Sequence, residues 1–254
     1  MGERTTDNRR PGRRSAVAGR LAAATALTAA AVAVAHAGPG ATALAPVRRL
    51  FPRLAGLGEA DHVALTFDDG PDPASTPAFL EMLADERVRA TFFMLGSMVA
   101  KAPRLAADIA AAGHEVAIHG WDHRYTVLRT PRAVRDDMAR ARDEVVSATG
   151  ALPRFYRPPY GVLSAGALAA ARTLGLRPVL WSCWGREWES TATPGSVYET
   201  LSCDLTGGAC VLLHDSDCTS PAGAAAAARA ALPHLLAACS ASGLRVGPLA
   251  EHGL

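Results

Sequence analysis

The chain has 254 residues, 49% of them hydrophobic and 20% charged, with a formal charge of +2, and that length can bury a sizeable core. The basicity sits at the start: without residues 1–37, which carry six arginines against Glu3 and Asp7, the charge becomes −2. No Lys/Arg stripe interleaved with aromatics remains, so nucleic acid is not an expected partner, and nothing in the sequence calls for an obligatory protein partner.

Taken in order, Arg9, Arg10, Arg13, Arg14 and Arg20 precede an Ala/Leu/Val run at 21–35, and Ala35-His36-Ala37 has the small-x-small form of a cleavage site. This is the order of a secretory signal peptide, residues 1–37. An uncleaved membrane anchor is the lesser alternative, because the uncharged run is short of the roughly 20 residues a span needs. The product is then expected to be secreted or associated with the cell wall. Residues 38–60, rich in Ala, Pro, Gly and Arg without a sustained period, read as a flexible lead-in, and 61–254 as one domain. Cys183, Cys203, Cys210, Cys218 and Cys239 all fall in the last third. In an exported chain they favour one or two disulfides with an odd thiol, of unspecified pairing.

Within the domain, His62-Val63-Ala64-Leu65 alternates as a strand does and runs into Thr66-Phe67-Asp68-Asp69-Gly70-Pro71. A helix capped near Ser75 follows, then a strand at 90–95, a helix from Pro103 to Gly113, and a strand at 115–118. Thr130-Pro131 opens a long charged helix ending at Gly150. Phe155-Tyr156 is a fourth strand, Ser164 caps an alanine-rich helix, and 178–181 is a fifth strand. A short helix near 197–201, a strand at 209–213, a helix at 221–240 and a strand at 244–246 complete the pattern. Such alternation predicts an α/β domain with mainly parallel strands, and about seven units favour a (β/α) barrel, distorted or incomplete, over an open doubly wound sheet. No Gly-x-Gly-x-x-Gly follows the first strand, so the usual reason to prefer a dinucleotide fold is missing.

The polar clusters each follow a strand: Asp68-Asp69, His119-Gly120-Trp121-Asp122-His123, Arg157-Pro158-Pro159-Tyr160-Gly161, Trp184-Gly185-Arg186-Glu187-Trp188 and His214-Asp215. In a parallel barrel those ends share one face, where active sites are built. Adjacent aspartates repel as anions, so one is expected to hold a cation while the other handles a proton. His119 and His123, four apart, complete a two-histidine, one-carboxylate site.

In family order, these motifs resemble the polysaccharide deacetylases of carbohydrate esterase family 4, the NodB-homology domain, over roughly residues 60–250. The resemblance implies a distorted (β/α) barrel with a divalent metal, zinc foremost and cobalt or another ion as alternatives, that hydrolyses acetyl groups on polysaccharide. It makes Asp69, His119 and His123 the metal ligands, Asp68 the general base and His214 the acid. It further implies that Arg157 holds Asp68, Glu187 orients His214 and the Tyr160 N–H faces the oxyanion. The fourth motif departs from the usual Asp-x-x-Asp-Trp: Glu187 adds a methylene, which predicts a longer or differently angled contact with His214. Trp184 replaces a carboxylate, and with Trp188 it is expected either to stack sugar or to plug the barrel rim.

The expected activity is hydrolysis of N-acetyl groups on an N-acetylglucosamine polymer, peptidoglycan or chitin-like, which would make the chain a hydrolase of carbon–nitrogen bonds other than peptide bonds. An O-acetyl esterase acting on acetylated xylan is one alternative and a non-catalytic glycan-binding protein another. Asp215 and Asp217 read as capping or loop acceptors, Asp122 as solvent-facing, and His62, His114, His234 and His252 as structural or exposed.

Overall fold

The computed structural model describes residues 13–254, with side chains described from residue 22; Arg9 and Arg10 of the leader lie outside the described residues. In helix α1 (Arg13–Ala37), residues 22–37 are exposed apart from the half-buried His36. Its apolar stretch continues into the turn beyond it, and Ala22–Ala43, with mean hydropathy 1.3, is long and apolar enough to cross a membrane. The apolar segment is thus longer than the run at 21–35 suggests.

The strands are β1 (His62–Asp68), β2 (Thr91–Met94), β3 (Glu115–Ile118), β4 (Phe155–Tyr156), β5 (Arg177–Pro178), β6 (Cys183–Trp184), β7 (Cys210–His214) and β8 (Arg245–Gly247). They form one curled sheet in the order β5-β4-β3-β2-β1-β7-β6, with β8 beside the first half of β1. Every pairing is parallel. The crossovers carry α3 (Thr76–Asp85), α4 (Gly96–Lys101), α5 (Pro103–Ala111), α6 (Pro131–Thr149), α7 (Ala165–Thr173), α8 (Pro194–Asp204) and α9 (Ala224–Ala241), after a short α2 (Ala45–Arg48). Local chemistry sets their limits. Thr130 and Ser164 accept from the third backbone N–H of α6 and α7, and Gly150, at φ 69°, takes the left-handed turn that stops α6.

Strand periodicity sorts the two faces. Val63, Leu65, Phe67, Phe92, Met94, Val116, Ile118, Tyr156, Val211 and Leu213 pack outward against the helices in one large core. Ala64, Phe93, Ala117, Phe155, Val179 and Cys210 form a smaller cluster inside the curl. All seven residues of β1 are buried, so its alternation separates two interiors, not core from solvent. Continuing the inward set along each strand reaches Thr66 and Asp68, His119, Arg157 and His214. The same parity that builds the core delivers the polar residues to the inner face at the strands' carboxyl ends.

Four expectations change. The strand expected at 178–181 shortens to β5 and β6 appears after it, because the intervening backbone bonds elsewhere: Val179 and Leu180 carbonyls accept from Arg157 and the Leu180 N–H donates to Leu54 (2.7 Å). Helix α4 is additional, separated from α5 by Ala102, whose non-helical backbone (φ −135°, ψ 58°) precedes Pro103. The lead-in expected to be flexible is folded onto the sheet: α2 lies in it, Thr42 and Arg48 are buried, and Gly58 N–H donates to Gly208. All five cysteines are free thiols, not disulfides. Cys183, Cys210 and Cys239 are buried as small core residues, the first two bonded to the carbonyls of Leu201 and Leu180.

Candidate active site

Arg157 is wholly buried at the end of β4. Its guanidinium donates to Asp68 Oδ1 (2.6 Å), Thr66 Oγ1 (2.8 Å) and the carbonyls of Leu180 (2.8 Å) and Val179 (3.3 Å), and it lies 4.0 Å from the Phe93 ring. One oxygen of Asp68 is thereby held, while Oδ2 stands 3.7 Å from His119 Nε2. Asp69 comes one residue past the strand, where alternation alone would turn it away. Its left-handed backbone (φ 80°) brings the carboxylate back, so that Oδ1 sits 3.5 Å from His119 Nε2 and 3.6 Å from His123 Nε2.

These three residues fit a cation. Their ligand atoms lie within 4.8 Å of one another, and Asp69 Oδ1, though buried, accepts no hydrogen bond. His119 Nδ1 donates to the Arg157 carbonyl (2.8 Å), which turns Nε2 toward Asp69. His123 sits in a tight loop at φ 38°. Burial first, then the neighbouring His119, pushes its pKa down to about 4 against the pull of Asp69 and Asp68, so its imidazole is neutral at pH 7. For Asp69 burial acts to raise the pKa, but His214, His119, His123 and the Thr219 hydroxyl outweigh it and hold the carboxylate ionised. Two imidazoles beside an ionised carboxylate are the donor set of a divalent ion.

His214 ends β7 and faces the same cluster, its Nε2 3.9 Å from Asp69 Oδ2. Its Nδ1 lies 2.8 Å from Glu187 Oε1, which also accepts the His214 backbone N–H (2.7 Å). The added methylene of Glu187 therefore leaves a contact of ordinary length, contrary to expectation. Gly185 makes room for it: a Cβ there would lie 2.8 Å from Glu187 Oε2. Burial lowers the His214 pKa, but the hydrogen bond and charge of Glu187, followed by Asp69 and Asp68, lift it to about 9. It is a protonated donor at neutral pH.

An opening of about 280 Å³ runs over these groups, lined also by Tyr160, Trp181, Trp184, Trp188 and Thr219. Tyr160, in a turn at φ 59°, rests against His123 and stacks on Tyr125 with centroids 3.9 Å apart. Trp181, Trp184 and Trp188 form a row with 5.7 and 5.3 Å between centroids, and Trp188 meets His214 edge-on. Two of these residues escaped sequence reading. Thr219 donates to Asp69 Oδ2 from a loop without periodicity, and Trp181 read only as the end of a strand. Asp215 accepts from Gly70 N and Thr76 Oγ1 and Asp217 from two N–H groups at the start of α9, both as loop acceptors. Asp122 pairs with Arg124 near the surface. His62, His114 and His252 are buried and His234 is exposed.

Comparison with known proteins gives concordant matches. The family described as polysaccharide deacetylase matches residues 56–179. A chitooligosaccharide deacetylase of Bradyrhizobium sp. (strain ANU 289) is 37% identical over 215 residues, 81% of this chain and 95% of that protein. The peptidoglycan-N-acetylglucosamine deacetylase PgdA of Listeria monocytogenes serotype 1/2a (strain 10403S) is 36% identical over 161 residues, 63% of this chain and 34% of that longer protein. Among solved structures, a family 4 carbohydrate esterase from Streptomyces lividans in complex with acetate superposes with a TM-score of 0.66 at 28% identity, over 74% of this chain and 93% of that one.

Proposed function

The chain belongs to the polysaccharide deacetylase family, hydrolases of carbon–nitrogen bonds other than peptide bonds, and from that premise we propose that it is an exported, metal-dependent N-deacetylase of N-acetylglucosamine polymers. The observation that carries this reading is the pair of oppositely prepared groups beside Asp69, His119 and His123: a carboxylate held at one oxygen by Arg157, and a histidine kept protonated by Glu187. Export is supported by the apolar α1 behind its arginines. The polymer class is supported by the relatives' substrates, chitooligosaccharide and peptidoglycan N-acetylglucosamine.

A divalent ion, zinc foremost, held by Asp69, His119 and His123 would supply a Lewis acid that polarises the acetyl carbonyl and acidifies a water molecule. Asp68 Oδ2 takes the proton of the water whose oxygen attacks the carbonyl carbon, while Arg157 fixes the other oxygen and with it the angle of approach. The Tyr160 backbone N–H serves as donor to the oxyanion that develops. As the carbon–nitrogen bond breaks, His214 passes its Nε2 proton to the leaving nitrogen, giving acetate and a free amine. Glu187 keeps His214 in the tautomer and orientation for that transfer. Trp184 and Trp188 offer the sugar an apolar wall.

The test is acetate release from an N-acetylglucosamine oligomer by the purified protein, after chelation and again after zinc or cobalt is restored, with Asp68→Asn in parallel. Release should vanish on chelation and return with metal, and D68N should lower it by about 10²–10⁴-fold. Release that is indifferent to chelation, or a fully active D68N, rejects the reading.

A further inference from the structure

The edges of the sheet, β5 and β6, do not pair with each other, and the segment 38–57 lies along the opening between them as a strap. Its lower part is bonded to the barrel wall through Leu54 O and Leu180 N. At Gly56 (φ 73°) it lies so close to Cys210 that a Cβ would meet that side chain at 2.6 Å. Its upper part reaches the rim of the active site. There Gly40 packs on Val162 and the Leu163 carbonyl, and Arg48, only 6% exposed, places its guanidinium 4.9 Å from the centre of the Trp181 ring.

Arg48 is an unusual group to bury. Its NH1 donates to the Ala43 carbonyl (3.0 Å), and among the described residues no carboxylate pairs with it. A buried cation with no carboxylate at ion-pairing distance is expensive; Asp204 acts on it only from farther off, and the ring face of Trp181 is the direct contact that offsets part of the cost. Trp181 in turn lines the active-site opening and presses on Gly161, where a Cβ would fall 2.6 Å from the ring. The contact chain therefore runs from the strap, through Arg48 and Trp181, to the turn that carries Tyr160. Residues 38–55 of the strap precede the segment 56–179 matched by the polysaccharide deacetylase family.

We propose that Arg48 is a positioning residue of the substrate site: the strap, through Arg48, holds Trp181 as a wall of the active-site opening and so sets affinity for the glycan. The inference deepens the deacetylase reading and rests on it for the identity of the ligand. Because Trp181 lines the opening but moves no proton in the scheme above, the effect falls on binding and not on the chemical step.

The experiment is a double-mutant cycle in the full chain with Arg48→Ala and Trp181→Leu, read as KM and kcat for an N-acetylglucosamine pentamer and as its affinity by tryptophan emission. R48A should raise KM and weaken binding by about three- to tenfold with kcat within about twofold. In the W181L background it should have almost no further effect. Arg48→Lys should recover part of the loss. Should R48A fail to fold, Arg48→Met, which keeps the aliphatic stem, carries the same comparison. Unchanged KM and affinity in R48A, or an equal R48A effect with and without Trp181, overturns the proposal. A wild-type chain that binds the pentamer without releasing acetate overturns the deacetylase reading alone, and the affinity cycle then decides the role of Arg48. A chain that neither binds nor cleaves it overturns both.

Discussion

In the proposed scheme, the acid–base division of the site rests on two residues that hold others. Arg157 has a donor on each of its neighbours inside the barrel, so Asp68 is a paired buried anion and not a free one. Glu187 does the corresponding work for His214, and it does so with a side chain one methylene longer than the usual aspartate because Gly185 leaves the space. The sign of the resulting pH dependence follows. An acid works while protonated, and a pKa raised to about 9 keeps His214 protonated through neutral pH, so kcat/KM should fall as pH rises through the alkaline limb. Glu187→Gln removes the charge that lifts this pKa, leaving burial to lower it, and should move the alkaline limb down by about one pH unit or more. A pH–rate profile of E187Q with its alkaline limb where the wild type has it would show that Glu187 does not tune His214. The sequence places both partners by motif, but the fit of the longer glutamate depends on Gly185 meeting Leu213 and Val197 from other strands and helices.

At the scale of elements, the turn after β1 and the loop after β7 are fastened to each other. Asp215, 1% exposed, accepts the Gly70 N–H at 3.2 Å and the Thr76 hydroxyl at 2.5 Å, and Ser75 donates to its carbonyl. Burial, with Asp69 adding to it and Thr76 opposing, raises the Asp215 pKa to about 7, so a neutral side chain is compatible with this position. Asp215→Ala leaves two buried donors unpaired and should cost about 2–4 kcal/mol in urea unfolding, whereas Asp215→Asn should cost under about 1 kcal/mol. Equal unfolding midpoints for the two variants would mean that these bonds contribute nothing. The same loop bears Thr219 against Asp69 and Asp217 against the first turn of α9, so it serves the site and the helix start together. Capping at this helix comes from a residue several positions upstream, because Gly223 at its N-cap has no side chain to offer.

Across the whole molecule, the catalytic face and the opposite end of the barrel use histidine in contrasting ways. His62 and His252 lie Nδ1 to Nδ1 at 2.7 Å, and His252 Nε2 contacts the carbonyls of Gly56 and Gly208, so Nε2 carries the His252 proton and His62 donates between the rings. The pair joins β1 to the C-terminal turn and the strap, and burial lowers both pKa values. His114 accepts the Ala90 N–H, and burial with Arg89 takes its pKa down to about 4. Each of these groups binds a proton less readily when folded than when unfolded. Their contribution to stability should therefore be largely present above about pH 6.5 and be lost as pH drops toward about 4, by on the order of 2 kcal/mol for His114 alone. Asp215 contributes in the opposite sense, because its raised pKa favours the fold as pH falls through about 7. Denaturant midpoints measured against pH, with His114→Gln flattening the slope over that window, test the assignment; an unchanged slope in H114Q would remove His114 from it.

The period-two alternation of 62–68, the spacing of strands and helices, and the order of Asp68-Asp69, His119/His123, Arg157, Glu187 and His214 were determined by the sequence. Strand parity and the parallel connection rule send Asp68, His119, Arg157 and His214 to one sheet face whatever the details of packing, while Asp69 and His123 reach it through left-handed backbone. Tertiary structure alone decided what depends on groups far apart in the chain. The strap takes its place because the gap between β5 and β6 offers it backbone and Trp181, which composition at 38–60 does not register. The cysteines stay as free thiols, three of them buried, which their position in the sequence does not register. Thr219 and Trp181 join the site through the course of a loop and the shortening of a strand, and neither leaves a local signature in the residues around it.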